Sequence, residues 1–304
     1  MKAYNHPIPK ELVKHVTAIC GAKGTAWLDD LPRTIGLLEE KWKLTVEAPF
    51  PPIEFNFVAP ATRENGDLAV LKIAPPYGST EIFGEAKFLS ARNGEGCIRV
   101  MDLDRQHHSI LIERALPGQN FTEIFADDPF GCVEPAVSVL HSVLRRPPRD
   151  LSDTISLNDW FDGLRRYEKS SFPARYAEKA LNIYSELSKQ SEHIFYLHGD
   201  YHPGNIVNAT REPYLVIDAK GIIGHIGYEI AVFLNNLHWW RADEPDIKER
   251  LDAALAKFSV GFGINEKELE QWAFAGSVLG HWWTFDEMRD IYSGGVLKSD
   301  IWDV

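Results

Sequence analysis

Apolar residues near the start of the chain recur with the period of an amphipathic helix. Leu12, Val16 and Ile19 fall on one stripe, which predicts a first helix within the run PKELVKHVTAIC. A second helix is expected over TAWLDDLPRTIGLLEEKW, after a break at Gly24. Residues 9–42 are therefore expected to form two consecutive helices.

After residue 42 the pattern changes to the short β-rich runs that are typical of strands. The runs KLTVEAPF, EFNFVAPA and DLAVLKIA follow one another, and the Asn65-Gly66 pair between the last two is a strong hairpin signal. A helix is expected over STEIFGEAKFLSARN. A further hairpin is expected over CIRVMDL and HSILIER, with its turn at residues 104–107.

The segment ALPGQN interrupts this pattern with Pro117 and Gly118, and we place a boundary there, between a lobe of residues 1–117 and a lobe of residues 118–304. Beyond it, helical runs predominate: VEPAVSVLHSVLRR, LNDWFDGLRRYEK, ARYAEKALNIYSELSKQ, IKERLDAALAKFSVGF and EKELEQWAFAGSVLGHWWTF. One β-like segment, IFYLHGDYHPGNIVNATREPYLVIDAKG, interrupts the helices. A small β-rich lobe followed by a larger helical lobe with one embedded hairpin is an α+β, two-lobed plan.

The composition and net charge of the chain indicate which kinds of molecule it can bind. A hydrophobic fraction of 44% with 25% charged residues is typical of globular proteins, and a net charge of -12 argues against sequence-independent binding of nucleic acid. The same charge suits a cationic small molecule, or it serves only to keep the protein soluble. The chain shows no apolar stretch of signal-peptide or membrane-spanning length, so we expect a cytoplasmic protein without a membrane partner. The oligomeric state stays open.

The three cysteines are widely spaced and form no C-x-x-C pair, which argues against a disulfide framework or a zinc knuckle. They are Cys20, Cys97 and Cys132.

The stretch HGDYHPGN, from His198 to Asn205, is the most informative part of the chain, and Asp218 follows it at the end of the apolar run YLVID. Phosphoryl transfer needs a carboxylate that orients the attacking hydroxyl, and oxygen ligands that hold Mg²⁺ on the phosphates. Asp200 precedes Asn205 by five positions, as in the kinase catalytic loop H-R-D-x-x-x-x-N. These residue types also form ordinary turns, but a turn does not require the whole string. We expect Asp200 to be catalytic, with Asn205 and Asp218 facing a metal ion.

A kinase also needs a fixed cation for the α- and β-phosphates, and Lys72 in AVLKIA is the candidate. Its neighbours are apolar, so an interior ammonium group would need an anionic partner. Glu85 on the following helix is the preferred partner, with Glu81 one helical turn away as the alternative. An ordinary lysine on an edge strand is the competing interpretation.

The segment LIERALPG, from Leu111 to Gly118, has the position of a hinge between the two lobes. An extended backbone there can offer one carbonyl and one N–H to an adenine ring. The Glu113 carbonyl and the Ala115 N–H are the expected pair. Backbone contacts leave no side-chain signature, so this expectation depends on position alone.

Several of these motifs resemble one known family. LHGDYHPGNIV, LVIDAKG and GYEIAVFL look like the aminoglycoside phosphotransferase superfamily, and more narrowly its streptomycin 6-kinase and hydroxyurea phosphotransferase branch. TAWLDDLP, LIERALPG, LNDWFDGL and WAFAGSVLGHWW resemble that branch as well, so the resemblance extends over nearly the whole chain. It implies a protein-kinase-like fold and antibiotic phosphorylation with ATP and Mg²⁺. It implies the same roles for Asp200, Asn205, Asp218 and Lys72.

The same resemblance draws attention to Lys220, which either balances charge near the transferred phosphate or is a solvated turn lysine. The chain also departs from the family pattern. Residues 48–53 lack the glycines that usually cover the phosphates, and their prolines leave fewer free N–H groups, which bears on the choice between ATP and GTP. Ala219 replaces a common proline. Glu229 stands where an Asp usually braces the catalytic loop, and it is one methylene longer.

The acceptor pocket is expected in the helical lobe after Asp218, where aromatic and acidic residues suit a polyhydroxylated, guanidinium-bearing ligand. Tryptophan pairs in helices are also typical core residues. The residues in question are Trp239, Trp240, Trp282, Trp283, Asp243, Glu244, Asp286 and Glu287.

Three functions therefore stay open. The first is a Mg·ATP-dependent kinase of streptomycin-like or hydroxyurea-like compounds. The second is a kinase of an ordinary metabolite such as an amino sugar, a small alcohol or a glycated amine. The third is a nucleotide-binding protein with little turnover, which the glycine-free loop suggests and the intact motif residues oppose.

Overall fold

The protein is known from a computed structural model, in which two compact units are distinguished by their internal contacts. The model describes residues 4–51, 55–77, 80–145, 147, 154–241, 244–287, 298–302 and 304. The first unit comprises Met1–Gly118 with Ala209–Pro213, and the second comprises Gln119–Asn208 with Tyr214–Val304. A short turn from the later part of the chain thus belongs to the first unit.

Among its described residues, the first unit combines a five-stranded antiparallel sheet with three helices. Its elements are α1 (Lys10–Cys20), α2 (Ala22–Trp42), β1 (Leu44–Val46), β2 (Phe57–Arg63), β3 (Leu68–Ile73), α3 (Glu81–Arg92), β4 (Val100–Asp104) and β5 (Ser109–Glu113). The strands lie in the order β1-β2-β3-β5-β4. The expected β2–β3 hairpin is present, with Arg63 N donating to Asp67 O at 2.9 Å and Gly66 in the left-handed region at φ 89°.

The break between the first two helices is at Gly21, where φ is 54°, and not at Gly24 as the sequence suggested. Gly24 lies inside α2, where an added Cβ would be 2.4 Å from the Val16 carbonyl oxygen. The glycine therefore allows close approach of the chain rather than ending a helix. Leu12 and Val16 are fully buried as expected, but Ile19 is 52% exposed, so the buried stripe ends before it.

The core of this unit includes the side chains on one face of the central strand β3. In β3, Ala69, Leu71 and Ile73 are all fully buried, as period-2 spacing requires for one face of a sheet. They share one hydrophobic cluster with apolar residues of α1 and α2. Lys72 belongs to a strand that pairs with β2 on one side and β5 on the other, so the edge-strand interpretation is wrong.

In the part of the chain that the structure describes, the second unit is mainly helical and contains two small sheets. Its elements are β6 (Pro117–Asn120), which begins in the first unit, α4 (Phe121–Ile124), α5 (Val133–Val143), α6 (Leu157–Leu164), α7 (Ala174–Leu187), β7 (Ile194–Leu197), β8 (Ile206–Ala209), β9 (Tyr214–Val216), β10 (Ile222–His225), α8 (Ile226–Arg241), α9 (Ile247–Phe262) and α10 (Glu266–Glu287). The fold is therefore α+β, with its five-stranded sheet in the first unit and mostly helices in the second. Among the helices of the described residues, none is long and apolar enough to cross a membrane.

The two small sheets position the HGDYHPGN stretch. Strands β7 and β10 pair antiparallel, and β8 lies between β6 and β9 in a separate three-stranded sheet. The stretch is thus the connection from one sheet to the other. In β8 and β9, Ile206 lies opposite Val216, which brings the residues before β8 close to those after β9. Within the β-like segment, β8 and β9 form the one hairpin that the sequence suggested, and β7 pairs with β10, which begins directly after the segment at Ile222.

Candidate active site

Gly199, two residues after the end of β7, gives the chain a sharp turn. Its φ is 83°, and an added Cβ would lie 3.1 Å from the Lys220 Cβ and 3.2 Å from the Ile222 Cγ1. Both the left-handed backbone and the crowding favour glycine here. Lys220 N donates to His198 O at 2.7 Å, so the residues that follow Asp218 are bonded to the residues that precede Asp200.

The buried carboxylate of Glu229 holds this turn. Glu229 lies in the first turn of α8 and is fully buried. Its two oxygens accept hydrogen bonds from the backbone N–H groups of His198 at 2.5 Å and Gly199 at 2.8 Å. The extra methylene relative to Asp therefore still permits contact with both amides. Hydrogen bonds to a charged acceptor are stronger than neutral ones, so this carboxylate fixes the backbone leading to Asp200.

The imidazole of His198 connects the two halves of the loop. It is 1% exposed, and its Nε2 lies 2.8 Å from the Ile217 carbonyl oxygen, which can only accept. Nε2 therefore carries the proton. In the neutral ring the other nitrogen, Nδ1, is an acceptor, and it receives the Asp200 backbone N–H at 3.2 Å. His198 thus links the backbone of Asp200 to the backbone of Ile217, the residue before Asp218.

Asp200 and Asn205 are in direct contact. The Asn205 Nδ2 donates to the Asp200 carbonyl at 2.9 Å and approaches its Oδ2 at 3.4 Å. Asn205 is 8% exposed, whereas the Asp200 side chain is 36% exposed. The carboxylate is accordingly held by its neighbours and still accessible to a bound molecule.

Sequence reasoning missed His202, which also faces this carboxylate. Its Nε2 lies 3.7 Å from the Asp200 Oδ1, and its Nδ1 accepts the Gly204 N–H at 3.1 Å. The only sequence signal was its position two residues after Asp200, within the motif itself.

Asp218 lies at the same end of the β8–β9 hairpin as Asn205. Ile217 N donates to Asn205 O at 3.0 Å, and Asp218 adopts a left-handed conformation at φ 59°. The described residues include no cluster of three or more His, Cys, Asp or Glu side chains suited to a metal. Two protein oxygen ligands, completed by phosphates and water, are however a common arrangement for Mg²⁺. The amide of Asn205 and the carboxylate of Asp218 fit that ion.

Lys72 and Glu85 form a buried ion pair in the first unit. Lys72 Nζ donates to Glu85 Oε2 at 2.6 Å, and the two residues are 5% and 2% exposed. The preferred pairing is therefore present, and Glu81 lies on the exposed side of α3. A charge pair this deeply buried costs desolvation energy, so its presence alone is weak evidence that it stabilises the fold.

Glu113 ends β5, and its side chain has a partner that the sequence did not suggest. Arg211 binds both carboxylate oxygens at 3.0 Å, and its Nη1 donates to Gly94 O at 2.6 Å. The hydrogen bond to Glu113 raises the pKa of Arg211. The turn that carries Arg211 is the later segment belonging to the first unit. Ala115 follows in the connection from β5 to β6.

The suggested acceptor-pocket residues have mixed placements. Trp282 is fully buried, as the core interpretation requires, and Trp283 is partly exposed. Glu244 pairs with Arg241 at 3.3 Å and Arg250 at 3.1 Å. Asp243 and the side chains of Trp239, Trp240, Asp286 and Glu287 lie outside the described residues, as do positions 52 and 53 of the glycine-free loop.

Two solved structures with a similar fold are named as a kinase and a phosphotransferase. Choline kinase LicA from Streptococcus pneumoniae aligns with a TM-score of 0.59 at 12% identity, covering 89% of this chain and 96% of that one. The aminoglycoside phosphotransferase APH(3'')-Id from Streptomyces rimosus, solved with ADP and streptomycin, aligns with a TM-score of 0.57 at 16% identity, covering 82% and 98%. At these identities the likeness shows a kinase-like fold.

Sequence comparison identifies relatives at higher identity. A streptomycin 6-kinase of Streptomyces glaucescens is 27% identical over an alignment of 246 residues, with 73% of this chain and 73% of that protein covered. A hydroxyurea phosphotransferase of Kitasatospora aureofaciens is 28% identical over 235 residues, covering 75% of this chain and 68% of that protein. Residues 41–287 match the family model for aminoglycoside/hydroxyurea antibiotic resistance kinases. The chain therefore belongs to this kinase family.

Proposed function

We propose that the protein transfers the γ-phosphate of ATP, with Mg²⁺, to a hydroxyl group of a streptomycin-type or hydroxyurea-type small molecule and thereby inactivates an antibiotic. The observation that carries the proposal is the arrangement of Asp200, Asn205 and Asp218 around one loop and hairpin. Family membership supports the transfer itself. The named relatives act on streptomycin and hydroxyurea, which supports the acceptor class.

Asp200 is the proposed catalytic base. Its accessible carboxylate accepts the proton of the acceptor hydroxyl as that oxygen attacks the γ-phosphorus. A new oxygen–phosphorus bond forms, the bond from the γ-phosphorus to its bridging oxygen breaks, and ADP leaves with the electron pair. His198 Nδ1 accepts a hydrogen bond from the Asp200 N–H, and Glu229 accepts from the N–H groups of the two preceding residues. These bonds support the role because they hold the backbone around the base in place before the substrate arrives.

Asn205 and Asp218 are the proposed magnesium ligands. The Nδ2 of Asn205 is directed at Asp200, which leaves its Oδ1 as the oxygen available to a cation. Asp218 supplies the negative charge. When bound, the ion offsets the charge of the phosphates in the transition state. The two residues themselves position the nucleotide relative to Asp200.

Lys72, fixed by Glu85, is the proposed partner of the α- and β-phosphates. The Glu113 carbonyl and the Ala115 N–H are proposed to bind adenine. Lys220, whose backbone is hydrogen-bonded to His198, is proposed to balance charge near the transferred phosphate. Use of ATP as co-substrate would place the protein in the cytoplasm.

The direct test is ADP release measured with the purified protein against a panel of aminoglycosides, hydroxyurea, amino sugars and small alcohols, with a phosphorylated product identified by mass spectrometry. We expect one of the first two classes to stimulate release well above the rate without acceptor. If only an ordinary metabolite stimulates ADP release, that metabolite and not an antibiotic is the acceptor. ATP binding without stimulation by any compound would contradict the proposal.

A further inference from the structure

The side chain of Glu113 interrupts the hydrogen bonding at the end of the β4–β5 pair. Val100 lies opposite Ile112, so the same antiparallel register places Arg99 opposite Glu113. Glu113 N donates to Arg99 O at 2.8 Å, which is one half of a regular pair. In such a pair the two residues exchange both bonds, so the Arg99 N–H would donate to the Glu113 carbonyl. It donates instead to the side-chain Oε2 of Glu113, at 3.0 Å.

The Glu113 carboxylate thus takes the hydrogen bond that its own carbonyl would accept in a regular ladder. A backbone amide has a single proton, so the Arg99 N–H that is bonded to Oε2 no longer serves the carbonyl. In an antiparallel strand the N–H and the C=O of one residue point to the same side, so the Glu113 carbonyl points towards Arg99. Because Arg99 donates elsewhere, this carbonyl can accept a hydrogen bond from a bound molecule.

Arg211 fixes the carboxylate in this orientation. Its Nε and Nη2 donate to the two oxygens of Glu113, each at 3.0 Å. A guanidinium that binds both oxygens of a carboxylate restricts its rotation, which a single contact does not. The same guanidinium donates to Gly94 O at 2.6 Å and to Cys97 O at 2.9 Å. The segment that leads to Arg99 is therefore held by the same side chain.

The neighbour of Arg211 on the same turn adds a second carboxylate. One oxygen of Glu212 accepts from Arg211 Nη1, and the other accepts from Gly96 N at 3.2 Å. All of these residues belong to the first unit. With a carboxylate on either side of the guanidinium, the Glu113 side chain has little freedom to turn away from Arg99.

We propose that the Glu113 carboxylate and Arg211 are positioning residues for the nucleotide base, because they keep the Arg99 N–H away from the Glu113 carbonyl and so allow it to accept the 6-amino group of adenine. This inference rests on the proposed function, in which that carbonyl binds adenine. Guanine has a carbonyl oxygen in place of the 6-amino group, so two acceptors would face each other. The pair therefore favours ATP over GTP.

The test measures the preference for a 6-amino group. Dissociation constants of ATP and of purine riboside triphosphate, which lacks only that amino group, are measured by calorimetry with Mg²⁺ and without acceptor. Glu113→Leu removes the carboxylate, and Arg211→Met removes the guanidinium. The double variant leaves neither charge unpaired, so it keeps the test valid where a single substitution destabilises the fold. Arg33→Met, at an exposed ion pair with Asp30 in α2, is the matched control.

We expect wild-type protein to bind ATP about 2- to 12-fold more tightly than the analogue, which corresponds to one neutral hydrogen bond. Glu113→Leu and Arg211→Met should each lose most of this preference, because the Arg99 N–H then has the backbone carbonyl as its acceptor. The two side chains act as one unit, so the double variant should lose no more than either single variant. The analogue's dissociation constant should change much less than that of ATP, and Arg33→Met should keep the wild-type preference.

A pair that served only stability would lower the melting temperature and weaken both nucleotides equally. An unchanged preference in the variants would overturn the inference, as would a wild type that binds the two nucleotides equally well. Because binding is measured without acceptor, this inference and the proposed phosphoryl transfer can fail separately. A preference that depends on Glu113 and Arg211, without ADP release in the presence of any acceptor, would contradict only the transfer. ADP release with a preference that is indifferent to both residues would contradict only the inference.

Discussion

Replacing the buried glutamate under the catalytic loop tests how the loop is held. In Glu229→Gln, one carboxylate oxygen becomes an NH₂ group that cannot accept the hydrogen bond from a backbone N–H. A hydrogen bond to a charged group contributes about 1.5–3 kcal/mol, and a buried N–H without an acceptor costs about 1–3 kcal/mol. Since these two terms overlap, we expect the free energy of unfolding to fall by about 2–4 kcal/mol.

The same substitution should reduce catalysis. The N–H groups of His198 and Gly199 immediately precede Asp200, and a displacement of the base by about 1 Å can lower a rate about 100-fold. We therefore expect kcat to fall about 10- to 100-fold, with KM for ATP nearly unchanged. Glu229→Asp keeps the charge but retracts the carboxylate by about one C–C bond, or about 1.5 Å. Comparison with Glu229→Gln therefore separates the effect of the position of the carboxylate from the effect of its charge.

Urea unfolding followed by circular dichroism and steady-state kinetics measure the two effects. Glu249→Gln, on the exposed side of α9, is the control, and it should stay within about 0.5 kcal/mol of wild type. If Glu229→Gln unfolds at the wild-type urea concentration and keeps the wild-type kcat, the carboxylate does not hold the catalytic loop.

Three further substitutions test other parts of the molecule. Glu85→Gln puts a neutral amide in place of the carboxylate that pairs with the buried Lys72, so the free energy of unfolding should fall by about 3–5 kcal/mol and KM for ATP should rise. Glu81→Gln, at an exposed position of the same helix, should have a much smaller effect on both quantities. Asp218→Asn should raise the Mg²⁺ concentration needed for half-maximal activity, and an unchanged Mg²⁺ titration would exclude it as a ligand. Burial, aided by the charge of His193, lowers the pKa of His225 from 6.5 to about 4. The unfolded chain therefore binds more protons between these values, and stability should fall by about 3 kcal/mol as pH drops through them. His225→Asn should flatten that part of a melting-temperature profile, and an unaltered profile would refute the assignment.

Local signals in the sequence predicted much of the first unit. The Asn65-Gly66 turn and the alternation in β3 depend on neighbouring residues, and both are present. The Lys72–Glu85 pair was predictable because a lysine among apolar residues needs an anion. The helix break was misplaced because Gly21 and Gly24 differ in backbone conformation and packing, which composition does not reveal.

Contacts between distant segments were not predictable in the same way. Arg211 binds Glu113 across 98 positions of sequence, and Trp160 reaches Gly199 from another helix. Arg211 lies outside the motifs quoted above, and LNDWFDGL, which contains Trp160, does not by itself indicate a contact with Gly199. Helix α8 was missed because it is apolar on most sides, so it lacks the amphipathic period that marks a surface helix. Such features depend on tertiary packing.

The most direct test of the proposed phosphoryl transfer compares wild-type protein with Asp200→Asn, measuring ADP release and the phosphorylated product with streptomycin as acceptor. Asparagine keeps the size of the side chain but cannot take the hydroxyl proton. We predict that kcat falls about 100- to 10,000-fold while the dissociation constant of ATP changes less than about threefold. Product formation by Asp200→Asn at the wild-type rate would contradict the central claim.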